Sequence, residues 1–584
     1  MKPAPHVPPT PRLVLGPLLR YAGEREATVW VEADRPCRVE VLAGEAHAAT
    51  ARTFEVEGHH YALVVLEGLA PGRVYGYEVR LGGRRVWPEA GSEFPPSVIR
   101  TFSEGRSFTL AYGSCRVAVP HRRPYTEKRG LTFGMGGERF ERDALFALAR
   151  RMAGTSGAQG DESWPDALLL LGDQIYADEV SPEVLEYIRK RRGAESEPKD
   201  QIADFEEYTK LYREAWRAPH MRWLLSTVPT AMIFDDHDVH DDWNTSEAWV
   251  EKMRRKGWWE ERIVGAFMSY WVYQHLGNLS PEELREDPVL QEARASDSPT
   301  RDVTGSLREL ARRADREAAG SRWSYSRDFG RTRLLVIDSR AGRVLDEGNR
   351  SMLDEEEWRW IESQADGEFD HLVLATSLPF VLAPALHHLE AASEALCGGA
   401  WGRRAAAVSE TVRQAVDLEH WPAFGKSFAR LAKLLRSVAS GERSGGEGPA
   451  SVVVLSGDVH HGYLAELDLG SGSPVYQSVS SPVRNPLGLP ERLVIRAGWS
   501  PAAERVGTFL ARLAGAESPG FSWRRVGGRL WFSNHVSTLR LRGRTATLTV
   551  EKTVPEGEGP PELYPVLRHD LTERSLQKKS GGRA

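Results

Sequence analysis

The stretch DALLLLGDQIY, residues 166–176, decides the reading of this chain. Its apolar residues run without alternation, as in a strand buried on both faces, and Gly172, Asp173 and Tyr176 follow where the chain leaves the sheet. Five other runs share this form: FTLAYGSC (108–115), TAMIFDDHD (230–238), RLLVIDSR (333–340), HLVLATS (371–377) and SVVVLSGDVHH (451–461). The last is expected to be the final core strand. Helix-like stretches lie between them, including Glu138 to Met152 and Asp354 to Gln364, the second opening on acids that suit the positive end of a helix dipole. A layered α/β architecture follows, with strand-end loops available for a site.

Upstream, from Leu13 to about Phe102, the pattern changes to short strands separated by Gly, Pro and charged turns. Alternation as in Thr28-Val29-Trp30-Val31 predicts one buried and one wet face, the mark of a small β-sandwich. Leu69-Ala70-Pro71-Gly72-Arg73-Val74-Tyr75 resembles the tyrosine corner of immunoglobulin-like and fibronectin type III domains. The predicted organisation is an immunoglobulin-like sandwich over 10–104, a catalytic domain with helical insertions over 105–568, and a flexible tail over 569–584. The charged segments around 181–220 and 281–320 read as helical excursions, the basic run Arg189 to Arg192 as a solvated face, and GERSGGEGP (441–449) as a loop.

Composition excludes several classes. With 584 residues, 41% apolar and 27% charged, the chain is globular and too long for one simple core. A formal charge of -6, evenly spread, gives no support to nucleic-acid binding. Three scattered cysteines make no disulfide framework. Neither a signal-peptide pattern nor a transmembrane run is visible, so a cytoplasmic protein is expected.

Four of the buried runs end in residues that bind metals: Cys115; Asp173 with Tyr176; Asp235-Asp236-His237-Asp238; and Asp458 with His460 and His461. Each has an ordinary explanation when taken singly, as core thiol, helix cap or surface histidine. Together they point to cations, because burying several carboxylates costs several kcal/mol per uncompensated charge, about 3 or more each. The mixture of carboxylate, imidazole, phenolate and thiolate is wrong for structural zinc and suits a site of more than one metal. A phenolate ligand implies a trivalent ion, the strongest aid to deprotonation.

Gly172-Asp173-Gln174-Ile175-Tyr176 resembles the G-D-x-x-Y motif of purple acid phosphatases. Phe234 to Asp238 followed by Asp241-Asp242-Trp243-Asn244, Ser456 to His460, Gly113-Ser114-Cys115-Arg116 and Ile337-Asp338-Ser339-Arg340 are similar to PhoD-type alkaline phosphatases and phosphodiesterases. The resemblance implies a layered metallophosphatase domain behind an immunoglobulin-like one. It implies Asp173 as the bridging carboxylate, Cys115 and Tyr176 as iron ligands, Asp236, Asp458 and His460 as further ligands, and Asn244 in the calcium-binding stretch. The cofactor it implies is a multinuclear centre of Fe3+ with Ca2+ or another divalent ion. Two positions depart from the family pattern. Asp241-Asp242 stand where some relatives have Asn-Asn, and the strand ending Ala375-Thr376-Ser377 lacks a histidine common at that point.

Cations bridged by Asp173 would lower the pKa of a shared water and align it with a phosphate ester. Arg116 and Arg340 are candidates for the equatorial phosphate oxygens, with a structural ion pair as the even alternative. His237, or else His461, is the candidate proton donor to the leaving group. Three readings result: a phosphomonoesterase or phosphodiesterase; a phosphodiesterase specialised for a lipid, nucleotide or polymer; and a binding module whose cations only hold the fold. Oligomeric state is not legible.

Overall fold

The computed structural model describes residues 10–127, 139–154, 164–296, 298, 300–470, 472–554 and 559–573. Nine short strands occupy the first hundred residues. β1 (Leu13–Ala22), β2 (Ala27–Ala33), β6 (His59–Leu66) and β5 (Phe54–Val56) form one sheet in that order. β4 (His47–Arg52), β3 (Arg38–Ala43), β7 (Val74–Leu81) and β8 (Arg84–Trp87) form the other, and β9 (Val98–Arg100) also pairs with β7. The backbone N–H of Ala70 donates to the Tyr75 hydroxyl at 2.9 Å, which closes the corner expected there. β4 and β8, with the sequences HAATAR and RRVW, carry no apolar alternation and were not expected.

The expected wet face of β2 is corrected, since all seven of its residues are buried. Val29 and Val31 pack between the two sheets with Val39, Val64 and Val79, whereas Trp30 faces the other way into the core of the larger part of the molecule. There it meets Tyr273, at 5.3 Å between ring centroids. Arg20 of β1, fully buried, donates to the carbonyls of Thr230, Tyr273 and Gln274.

β10 (Phe108–Gly113), β11 (Ala167–Leu171) and β12 (Thr230–Ile233) pair in parallel. β20 (His535–Arg542), β21 (Thr545–Thr553) and β22 (Leu563–Asp570) extend the β10 edge antiparallel into a six-stranded sheet. A seven-stranded sheet has the order β13 (Tyr325–Phe329), β14 (Thr332–Ile337), β15 (His371–Thr376), β16 (Ser451–Ser456), β18 (Val475–Val479), β17 (Gly462–Asp468) and β19 (Ser522–Trp531). Its β14, β15, β16 and β18 run parallel.

The two sheets face each other. Leu168 to Leu171 share a core with Val336, Val373, Val453 and Leu455. The alternate residues Leu335, Leu372, Leu374 and Val454 pack on helices Glu355–Gln364 and Gly425–Ala439 through Trp358, Ile361, Phe428 and Leu435. A helix at Ala144–Gly154 covers β20 to β22, completing a helix–sheet–sheet–helix sandwich. Runs without alternation are therefore strands with two apolar neighbours.

Three expectations about elements need correction. The helix expected from Glu138 begins at Ala144, because Asp143 accepts from the N–H groups of Leu145 (2.9 Å) and Phe146 (3.2 Å) as a cap; Glu138 itself lies outside the described residues. The run 451–461 is not the final core strand, since β17 to β22 follow it; β19 (SWRRVGGRLW) and β20 (HVSTLRLR) are interrupted by arginines and form no apolar run. β22 extends to Asp570, paired with Thr547, two residues into the expected tail, and 574–584 lie outside the described residues. The basic run is held by acids: Arg189 pairs with Asp200, and Arg191 and Arg192 with Glu207. Among the described residues no helix is long and apolar enough to cross a membrane.

Candidate metal centre

The carboxyl ends of β10, β11 and β12 in one sheet, and of β14, β15 and β16 in the other, meet over the core. Glycine lets them close. Gly172 has φ 97°, and a side chain there would come within 2.5 Å of Asp235 Cβ. A side chain at Gly457 would fall on Ser114. Cross-loop bonds then knit the ends together: Cys115 N–H to Gly172 O at 3.4 Å, Arg116 N–H to Asp173 O at 3.2 Å, and Gly457 N–H to Ser377 O at 2.8 Å.

Backbone strain concentrates here. Cys115 (φ 57°), Asp173 (51°), Asn244 (61°), Asp458 (62°) and His460 (49°) make up half of the ten non-glycine residues with positive φ among those described. Each such conformation costs about 1–3 kcal/mol and persists where the surroundings over-determine it. Strained backbone and candidate chemistry coincide.

The side chains converge. Ligand-capable atoms of Cys115, Asp173 and His460 lie within 4.8 Å of one another, and so do those of Asp173, Asp236 and His237, and those of Asp235, Asp236 and Asp458. Asp173 is common to the first two groups. The Tyr176 hydroxyl donates to Asp173 Oδ2 at 3.4 Å and accepts from Asn485 Nδ2 at 3.2 Å. Ser114 and Ser481 hydroxyls flank the Cys115 sulfur at 3.1 and 3.2 Å. The Asn244 amide donates to the carbonyl of Arg340 at 3.1 Å.

Both arginines are engaged by protein carboxylates. Arg340 is fully buried; Nε meets Asp235, Nη1 meets Glu419, and Nη2 lies 3.1 Å from Asp236 and 3.6 Å from Asp458. Arg116 makes a two-pronged pair with Asp143 (2.9 and 2.8 Å) and donates to Ala215 O at 3.0 Å. Both forks thus sit against carboxylates of the chain, as in the structural alternative, although Nη1 and Nη2 of Arg340 are buried without a hydrogen-bond partner of good geometry. His237 directs Nδ1 at Asp178 (3.0 Å), with Asp241 3.6 Å from Nε2. His461 instead donates from Nδ1 to Val459 O (2.7 Å) and stacks near Tyr463 and Phe532.

Sequence reading missed Asp178, Glu390, Glu419 and His420. His420 bridges Glu390 (2.7 Å) and Asp458 (3.0 Å), and Glu419 joins Arg340 to Arg343 (3.2 Å). Adjacency of Glu419 and His420 was the available signal, but neither follows an apolar run. Asp178 was legible only as an acid shortly after Tyr176.

Burial pushes the carboxyls of Asp173, Asp235 and Asp236 above their ordinary range; at Asp173 the nearby His237 opposes the shift and Asp236 reinforces it. Burial also raises the Cys115 thiol and the Tyr176 phenol, and Asp173 adds to both. Asp458 goes the other way, for burial is outweighed by the hydrogen bond from His420 and by Arg340. Asp173 Oδ1 and Asp235 Oδ2 are buried without a hydrogen-bond partner. Acids packed in this way hold protons unless cations join them, and the donor set of carboxylate, imidazole, thiol and phenol fits such ions. The cluster is a multinuclear metal centre by composition.

The comparisons give the family. Residues 133–487, more than half of the chain, match the model of the PhoD-like phosphatases, and residues 10–99 match a domain of unknown function, DUF7800. The chain belongs to the PhoD-like phosphatase family and is a phosphoric ester hydrolase. A solved structure described as PhoD is similar at 14% identity with a TM-score of 0.58, covering 98% of this chain and 94% of that one. Purple acid phosphatase PPD1 from yellow lupin (Lupinus luteus) is similar at 10% identity with a TM-score of 0.47, covering 95% and 74%. No curated protein matches the chain.

Proposed function

We propose that this chain hydrolyses phosphate monoesters or diesters at a centre of ferric iron with calcium or another divalent ion. The observation that carries the reading is the sharing of Asp173 between the Cys115–His460 group and the Asp236–His237 group. Cys115, Asp173, Tyr176 and His460 would hold iron; Asp173, Asp236, Asp458 and Asn244 would hold the second ion. When bound, the ions supply Lewis acidity toward water and phosphate oxygen.

The chain's own groups do the rest. His237 is the acid. Asp178 fixes its ring through Nδ1 and leaves Nε2 to hand a proton to the departing oxygen. Burial works against the protonated ring, but Asp178 and Asp236 outweigh it, so His237 stays charged above its ordinary range. Arg340 keeps Asp235, Asp236 and Asp458 in register while neutralising part of their charge. His461 is drawn down to about 4, burial being the largest cause, and is a packing residue.

Metal analysis together with hydrolysis of p-nitrophenyl and bis-p-nitrophenyl phosphate tests this reading. The replete protein should cleave at least one ester, and Asp173→Ala should lose metal and activity together. Retention of both by that variant would overturn the bridging role. Metal-replete protein inert to both esters would favour a cation-stabilised binding module. Iron on Tyr176 should colour the protein, and Tyr176→Phe should bleach it.

A further inference from the structure

Helices at Leu489–Gly498 and Pro501–Ala514 follow β18. In the second, Val506, Phe509, Leu510 and Leu513 recur at the spacing of an apolar helix face, which ordinarily turns toward a core. Here it turns outward. The face against the protein is built of small residues: Gly507, Ala511 and Ala514 are buried, and a side chain at Gly507 would come within 2.9 Å of Ala385 O on the helix Pro384–Cys397. Leu493, Val494, Val506, Phe509 and Leu513 are each more than half exposed, and so is Trp401, whose indole N–H donates to Leu513 O at 3.2 Å. No described residue covers them.

Charge selects the occupant. Residues 489–516 contain four arginines and two glutamates, in a chain whose formal charge is -6; Arg492 is turned inward on Glu141, which leaves Arg496, Arg505 and Arg512 exposed. Arg505 and Arg512 are exposed and form no ion pair among the described residues. A two-fold contact with a second copy would bring these arginines toward their counterparts and desolvate them. An anionic bilayer surface reverses that sign, accepts exposed apolar side chains, and suits helices with arginine beside Trp, Phe and Leu. The first helix begins four residues after Asn485, the partner of Tyr176, and its Arg496 lies 4.9 Å from the Phe532 ring that neighbours His461.

We propose that this helix pair with Trp401 is a membrane-surface docking face that seats the enzyme on anionic lipid bilayers. The experiment uses the full chain and vesicles of phosphatidylcholine with or without phosphatidylglycerol. Flotation should show binding to the anionic vesicles at least about tenfold tighter than to the neutral ones, each arginine near such a surface contributing. Phe509→Glu with Leu513→Glu should abolish flotation and leave hydrolysis of p-nitrophenyl phosphate and the melting temperature unchanged, since both side chains are exposed. Absence of binding by the unaltered protein, equal binding to both vesicle types, or equal binding by the variant would each overturn the proposal. A dimer in sedimentation that the same substitutions dissociate, without vesicle binding, would assign the face to a second copy.

Discussion

Arg340 is the residue on which the charge of the centre depends. It has no exposed surface, and removal of its guanidinium takes the cation from Asp235 and Asp236 and leaves Glu419 to Arg343 alone. Breaking a buried pair costs about 3–5 kcal/mol. Arg340→Met should lower unfolding free energy by about that amount in urea titrations of the metal-replete protein, where the carboxylates are ionised; a loss under about 1 kcal/mol would mean that the bound ions compensate them without Arg340. His237→Ala should slow hydrolysis of an alkyl phosphate by about 10²–10⁴-fold, and that of p-nitrophenyl phosphate less, because nitrophenolate leaves without a proton. Equal losses on the two esters would remove its role as acid. At this scale the sequence named Cys115, Asp173, Asp236, His237, Asp458 and His460 because each closes an apolar run. It could not rank the arginines, since a guanidinium aimed at phosphate and one aimed at Glu419 look alike in one dimension.

Elements of the core were legible wherever both faces are apolar, as in β11 and β16. They were obscure where a strand lies at an edge or carries charge, as in β8 and β19. The turns at strand ends were readable as glycine, but their purpose is a contact 286 positions away in sequence between Gly457 and Gly172's loop neighbour Leu171, whose carbonyl would lie 2.9 Å from an added Cβ. Gly457→Ala should therefore separate β16 from β10 and β11, cost about 1–3 kcal/mol in thermal unfolding, and reduce metal retention on dialysis; unchanged stability and metal content would show that the ends tolerate separation. Asp354→Ala provides the contrast. Its carboxylate caps the helix Glu355–Gln364 through the N–H groups of Glu356 and Glu357. The substitution should cost about 1 kcal/mol with no change in metal content or turnover, because that helix carries no ligand.

On the scale of the whole molecule, the sandwich is fused to the larger part rather than appended to it, which its alternating sequence concealed: β2 serves two cores at once. His59 illustrates the join. Its ring meets Glu206 (2.7 Å) and Glu32 (3.2 Å), and although burial opposes protonation, these acids raise it to about 9. A raised histidine stabilises the folded state fully below its ordinary value of 6.5 and loses that contribution as pH rises through about 9. Glu206, lowered to about 2 chiefly by the His59 bond, contributes above 4.5 and loses its share as pH falls toward 2. The melting temperature should accordingly decline between pH 6.5 and 9, and His59→Gln should flatten that limb; an unchanged slope in the variant would remove His59 from the account.

Anomalous diffraction from crystals of the metal-replete protein bears most directly on convergence at Asp173. At least two ion peaks should flank its carboxylate, one beside Cys115 and His460 and the other beside Asp236 and Asp458. Peaks confined to one side of Asp173, or lying in separate parts of the molecule, would contradict the shared centre.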